Sequence, residues 1–395
     1  MKNCYAIFQP NNNFSPAPPR RRWGKAVVTM EFRVENIDEI DSPALVIFKE
    51  QVQQNIAHAV RMVGDVGRLR PHVKTHKSAD ATQLMLAAGI AKFKCATIAE
   101  AEMLGECRAP DVLLAYQPVG PKVQRFVGVI KNYPGTVYSC LTDDLSTAQR
   151  MAAVFQKNSL VVPVYIDLNI GQNRTGIAPE NAIELYLACS NLNGIKPIGL
   201  QAYDGHIRDM DFDKKTVLCD EAFKAVSQVS QQIMASGFNA PVIIAGGSPT
   251  FSIHCKRPGV ECSPGTFVYW DKGYSDLCAE QPFFPAAVLV SRVISLPDAT
   301  KICLDLGHKS VAAENEIGKR IYFPDAPDFI PIGQSEEHLV MEAGANHGFK
   351  VGDVLIGIPY HICPTIALYE RAIIVENGIA NAEWKTTARD RKITQ

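Results

Sequence analysis

The sequence predicts an α/β protein: a TIM-type (β/α)8 barrel over residues 45–280, then a C-terminal β domain over 281–395 that residues 31–44 join. Three observations carry this. From about residue 44, short apolar β-rich runs alternate with helix-like stretches, the pattern of parallel strands joined by crossovers. Eight such units over roughly 230 residues match a closed barrel. Beyond about residue 280 the long helical patterns stop. A doubly wound open sheet is the structural alternative, but no Gly-rich dinucleotide turn follows the first strand.

Taken in order, the strand runs are 69–73, 92–97, 111–116, 136–141, 161–168, 195–203, 242–246 and 266–270. Helix-like stretches at 51–63, 78–88, 98–105, 145–156, 180–190 and 215–236 lie between most of them. In the β domain, strands are expected at 286–294, 301–306, 353–358 and 369–375. Turn signals at Pro297-Asp298, Gly333 and Gly352-Asp353 separate them.

The chain has 395 residues, 47% hydrophobic and 21% charged, with a net charge of −1. Nothing in that balance points to nucleic acid or an anionic membrane, and no apolar stretch is long enough to span a bilayer. The 11 cysteines form no CxxC pair, and Cys95, Cys140, Cys189 and Cys303 lie inside apolar runs. That is the pattern of a reduced, cytoplasmic protein rather than a disulfide framework. Residues 1–30 contain no Asp or Glu, four prolines and the run Arg20-Arg21-Arg22. Being Pro- and Asn-rich rather than Ser-rich, they are expected to be a disordered tail and not a transit peptide.

In a barrel of this kind the chemistry gathers at the C-terminal ends of the strands. The first ends in Arg70-Pro71-His72-Val73-Lys74-Thr75-His76-Lys77. On an extended backbone 72, 74 and 76 share a face, which places an amine between two imidazoles and suits a lysine that forms a Schiff base. A basic strand end in solvent is the plainer alternative. The seventh ends in Gly246-Gly247-Ser248-Pro249-Thr250, where glycines permit close backbone approach and hydroxyls can bind a phosphate. Elsewhere such a string is a common turn, but here it falls at the usual phosphate site of the barrel. After the fifth strand comes a polar, Gly-rich loop, 167–176. In it Arg174 could bind a phosphate, a carboxylate or a pyridine nitrogen, or else brace the loop against Asp167. In Tyr360-His361-Ile362-Cys363 the imidazole and thiol stand at i and i+2. If extended they share a face and could hold a zinc ion with open coordination positions, the arrangement of a catalytic metal.

Together these residues resemble the D-threonine aldolase and D-serine dehydratase group, whose barrel is like that of alanine racemase (pyridoxal-phosphate fold type III). The resemblance covers roughly residues 40–390. It rests on 70–77, Lys94-Cys95-Ala96-Thr97 running into Glu100-Ala101-Glu102, 167–176, 199–206, 246–250, Ser263-Pro264-Gly265-Thr266, 335–338 and His361-x-Cys363. It implies pyridoxal 5'-phosphate held by Lys74 as a Schiff base and bound by His72, Arg174, Tyr203, Gly246, Gly247, Ser248 and Thr250. It implies a divalent metal, zinc or manganese, on His361 and Cys363, and His206 as a base near the substrate's β-hydroxyl. The implied activity is retro-aldol cleavage of D-threonine to glycine and acetaldehyde. The alternative is dehydration of D-serine to pyruvate and ammonia, to which the His-x-Cys pair inclines. Racemisation would need a second base opposite Lys74, typically a tyrosine from a partner subunit; no residue obviously supplies it, with Tyr269 and Tyr274 left open, and a non-catalytic binding protein is a third reading. The partners implied are a small D-amino acid and a second copy in a homodimer.

Overall fold

The computed structural model describes residues 32–395, so the tail expected at 1–30 lies outside the described residues. Seven parallel strands form a curved sheet in chain order: β2 (Lys92–Cys95), β3 (Asp111–Leu114), β4 (Val137–Thr142), β5 (Val162–Leu168), β6 (Ile195–Ala202), β7 (Val242–Ala245) and β8 (Val260–Cys262). Residues 69–72 close the ring. Leu69 bridges Cys262 and His72 bridges Lys94, both in parallel. Arg70 N–H donates to Cys262 O, His72 N–H to Pro264 O, and Lys94 N–H to Pro71 O.

Around the ring run α1 (Lys49–Val63), α2 (Ala79–Ala87), α3 (Ile98–Glu106), α4 (Pro121–Asn132), α5 (Leu145–Lys157), α6 (Ala182–Ser190) and α7 (Phe212–Ala235). The short α8 (Phe251–His254) and α9 (Lys272–Leu277) follow β7 and β8. The barrel strands are buried on both faces, as in β5, where six of seven residues are buried. That is why they read as apolar runs without alternation. Local signals start several helices: Thr97 and Asp144 each accept a hydrogen bond from the backbone N–H three residues on.

The second sheet has the order β12 (Ile330–Gln334), β13 (Leu339–Glu342), β10 (Lys301–Leu304), β9 (Ala287–Asp298), β1 (Ala44–Phe48), β15 (Arg371–Glu376), β16 (Ile379–Lys385). β14 (Val354–Pro359) pairs with β9 and with β11 (Ile321–Tyr322), and α10 (Ile362–Ile366) follows it. Only β1 and β15 pair in parallel, with Val46 opposite Ile373. All five residues of β1 are buried between β9 and β15.

Two expectations are corrected. Residues 45–48, expected in the barrel, lie in this second sheet. Residues 266–270, expected as the eighth strand, begin with a 3-10 turn (Thr266–Val268), and the eighth strand is Val260–Cys262. A glutamate at the centre of that strand hid its pattern. Glu261 is buried and accepts from Arg70 Nε at 2.7 Å and from Lys92, while Arg70 also grips Asp111 at 2.7 and 3.0 Å. Among the described residues, no helix is long and apolar enough to cross a membrane.

Candidate active site

A cavity of about 760 Å³ opens at the C-terminal ends of the barrel strands and reaches Tyr360, His361 and Cys363, which follow β14 of the second sheet. His72 and Lys74 line it, but not on the extended face expected, because residues 73–76 form a turn. The turn takes His76 away from the cavity: it is buried edge-on to Tyr269 at 6.3 Å, and its Nε2 has no partner. Burial lowers His76 to about 3. Burial, helped by the charges of Lys74, Lys94 and Lys77, also holds His72 well below the ordinary imidazole value. Both rings are therefore neutral at physiological pH.

Lys74 Nζ stands 6.0 Å from the Tyr203 ring centroid, and the Arg174 guanidinium 5.0 Å from the same ring. Three expected residues from β2-side, β5 and β6 loops thus meet around one aromatic face. The phosphate candidates follow β7. Gly246 has φ +74, and a Cβ there would come within 2.5 Å of His254 Cδ2; one on Gly247 would reach Tyr203 Cε2 at 2.8 Å. Neither position has room for a side chain: Gly246 is backed by His254, and Gly247 lies against the Tyr203 ring, so the turn is a cradle that presents bare backbone to the cavity. Ser248 Oγ accepts from Gly265 N–H at 3.2 Å and Thr266 N–H at 3.1 Å, which ties the loop after β7 to the loop after β8. Thr250 is fully buried behind the cradle and is not part of the lining.

Several lining residues were assigned no part in the site by the sequence reading. Ser263 Oγ and Gln201 Oε1 are buried without a partner. Lys94 and Asp167 face the cavity together. Burial pushes the Lys94 amine down and the Asp167 carboxyl up, and each draws the other back toward its charged form. Asp271 caps α9 and accepts from Tyr274 N–H and Ile362 N–H, and burial lifts its carboxyl to about 6. Of the two tyrosines named as second bases, Tyr274 lines the cavity and Tyr269 does not. His206 is exposed on the loop after β6, close against Gly171, and outside the lining.

His361 and Cys363 come together at a strand-to-helix corner rather than along a strand: His361 is the cap of α10 and Cys363 lies in its first turn. Burial would raise the Cys363 thiol, but the hydrogen bond and charge of His361 and the hydroxyl of Thr75 at 3.2 Å outweigh it and hold the thiol below its usual value. Burial would lower His361, yet Cys363 and Glu314 raise it to about 9. Glu314 Oε1 lies 2.5 Å from His361 Nδ1, so a metal would take the ring's other nitrogen, Nε2, in place of the hydrogen bond to Cys363. A readily ionised thiol, an oriented imidazole and an open cavity fit a divalent metal. The glycine cradle, the orphaned Ser263 hydroxyl and Lys74 fit a phosphorylated aldehyde cofactor. A second set of metal-type donors, Asp204, Cys219 and His254, is fully enclosed. Its His254 Nε2 to Asp204 Oδ2 distance of 2.7 Å is that of a hydrogen bond. Two donors on one zinc stand farther apart, at about 3.3 Å for ~2.0 Å bonds in tetrahedral geometry.

The chain matches the family "Alanine racemase, N-terminal domain" over residues 47–272 and the family "Putative serine dehydratase domain" over 286–375. It is 27% identical to the D-threonine aldolase of Arthrobacter sp, over 89% of this chain and 93% of that protein. It is 24% identical to the D-threo-3-hydroxyaspartate dehydratase of Delftia sp. strain HT23, over 84% and 93%. The crystal structure of D-threonine aldolase from Filomicrobium marinum shares the fold, with a TM-score of 0.82, 22% identity, and coverage of 89% of this chain and 96% of that one. With a match to the putative serine dehydratase domain following it, and an aldolase and a dehydratase among the proteins it resembles, the chain belongs to the alanine racemase N-terminal domain family.

Proposed function

We propose that this chain is a pyridoxal-phosphate- and divalent-metal-dependent lyase for D-β-hydroxy-α-amino acids, cleaving D-threonine to glycine and acetaldehyde. The observation that supports the reading best is the meeting of Lys74, the glycine cradle and the His361–Cys363 pair in one cavity. Lys74 would hold the cofactor's aldehyde carbon. Gly246, Gly247, Ser248 and Ser263 would hold its phosphate, and Arg174 and Tyr203 its ring. Bound there, pyridoxal phosphate supplies an electron sink for charge at the substrate's Cα, and the metal a Lewis acid at its β-oxygen. His361 Nε2 and the Cys363 sulfur would carry the metal. Glu314 fixes the imidazole, and the hydroxyls of Thr75 and Thr266, at 3.2 and 3.6 Å, orient the sulfur. The thiolate favours zinc over manganese. Lys74 would hold or return a proton at Cα. His206, the base expected at the β-hydroxyl, would act from the loop that now lies against Gly171.

A second reading, dehydration of D-serine to pyruvate and ammonia, is supported by Cys363 and by the family match over 286–375. The homodimer and the cytoplasmic setting stay part of the proposal. The ten described cysteines are all unpaired, consistent with a reducing compartment. Full activity at the mass of one copy would overturn the dimer. Borohydride reduction in the presence of pyridoxal phosphate, followed by peptide mass mapping, tests the cofactor assignment. Label on Lys74 supports it, and label on Lys94 or on no lysine overturns it.

A further inference from the structure

Directly behind the glycine cradle lies a closed polar network that the proposed chemistry does not use. Asp204 follows Tyr203 at the end of β6 and is 1% exposed. Its Oδ1 accepts from the Thr250 hydroxyl at 2.7 Å, and its Oδ2 from His254 Nε2 at 2.7 Å and from the Cys219 thiol at 3.5 Å. Arg257 Nε donates to His254 Nδ1 at 3.3 Å, which makes Nδ1 the acceptor and turns Nε2 toward Asp204 as the donor. Thr250 Oγ1 in turn accepts from Gly247 N–H at 3.4 Å. The His254 ring also backs Gly246, where a Cβ would collide with it. None of Asp204, Cys219, Thr250 or His254 lines the cavity. The network therefore cannot touch a substrate, but it reaches the backbone of the cradle through one hydroxyl.

We infer that Asp204 and His254 are positioning residues that hold the Gly246–Gly247–Ser248 turn open for a phosphate through Thr250. This rests on the reading that the cavity takes pyridoxal phosphate. Gly246 requires a left-handed backbone, and such turns persist where the surroundings fix them. Here the fixing runs from a buried carboxylate whose donors outweigh burial and keep its pKa below the ordinary value. The arrangement spares the ligand the ordering of the loop on binding, so its loss should fall on ligands with a phosphate and not on the same ligand without one.

The test compares binding of pyridoxal 5'-phosphate and of unphosphorylated pyridoxal to the full chain, read by absorbance and without turnover. Thr250→Val keeps the side chain's shape and removes only the link. Thr250→Ser restores it. Asp204→Asn breaks the network at its centre. Thr250→Val and Asp204→Asn should weaken pyridoxal phosphate by roughly tenfold or more, the worth of a hydrogen bond to a charged group. Pyridoxal binding should stay within about threefold, and Thr250→Ser should bind like the native protein. Equal weakening of both ligands, or no change in either with Thr250→Val, overturns the inference. If the native protein binds pyridoxal but gains nothing from the phosphate, the cradle assignment fails and the inference with it. If it binds neither, the cofactor reading itself fails.

Discussion

Replacing Arg70 with methionine tests how the barrel closes. Arg70 is 1% exposed, lies in the segment that joins β8 to β2, and makes hydrogen bonds of 2.7, 2.7 and 3.0 Å to Glu261 and Asp111. Breaking a buried ion pair from one side costs about 3–5 kcal/mol, because the partner stays charged and buried. Two features put this site at the lower end. Glu261 keeps Lys92, and Asp111, with 30% of its side chain exposed, can turn its oxygens to water. The structure therefore gives a loss of about 3 kcal/mol, read as a fall in the urea midpoint at unchanged slope. The double variant Arg70→Met, Glu261→Met also removes the buried carboxylate and leaves Lys92, 32% exposed, to solvent. It should regain most of the loss, since an apolar replacement of a whole buried pair is near neutral. A single-variant loss below about 1 kcal/mol, the worth of a surface pair, would refute the reasoning. So would a double variant less stable than the single one.

Lys94 gives a pH prediction. Burial holds its folded pKa below the ordinary 10.5. Between the two values the unfolded chain binds a proton that the folded chain has shed, so native stability rises with pH through that window. Lys94→Met cannot titrate; its advantage over the native chain should be largest near neutral pH and shrink toward pH 10. Urea midpoints across that range check this, and parallel curves would sink it. Glu314→Gln should weaken metal binding by about tenfold or more in a chelator competition, because the carboxylate behind His361 fixes the imidazole for ligation. Unchanged metal affinity would mean that the Glu314 contact is incidental.

What could be read from the sequence follows from what local pattern reports. Buried parallel strands make apolar runs, so 92–97, 111–116 and 161–168 stood out, and helices such as the one expected at 145–156 announced themselves by periodicity. Val260–Cys262 did not, because Glu261 is stabilised there by Arg70 and Lys92, partners 191 and 169 positions away in the chain. Residues 45–48 fell on the barrel side only through the boundary drawn at 45, and were not read as a strand. Their place between β9 and β15 is set by pairings that no local pattern carries. At the site, Lys74, Arg174, Tyr203 and the Gly246–Ser248 turn were legible as polar residues ending apolar runs. Lys94, Gln201 and Ser263 lay within the quoted motifs but were given no role, since inward-facing polar residues within a strand or just past its end look like any other position. The face shared by His72, Lys74 and His76 assumed an extended chain, and the turn at 73–76 sends His76 elsewhere.

The central claim is a metal-dependent lyase acting on D-β-hydroxy amino acids, and product analysis tests it most directly. The enzyme loaded with pyridoxal phosphate and zinc or manganese is given D-threonine and D-serine, before and after EDTA. The account predicts glycine and acetaldehyde from D-threonine, lost with EDTA and restored by the metal. EDTA-sensitive pyruvate and ammonia from D-serine, without acetaldehyde from D-threonine, would replace the aldolase by the dehydratase. Turnover of neither substrate, or turnover indifferent to EDTA, would contradict the claim.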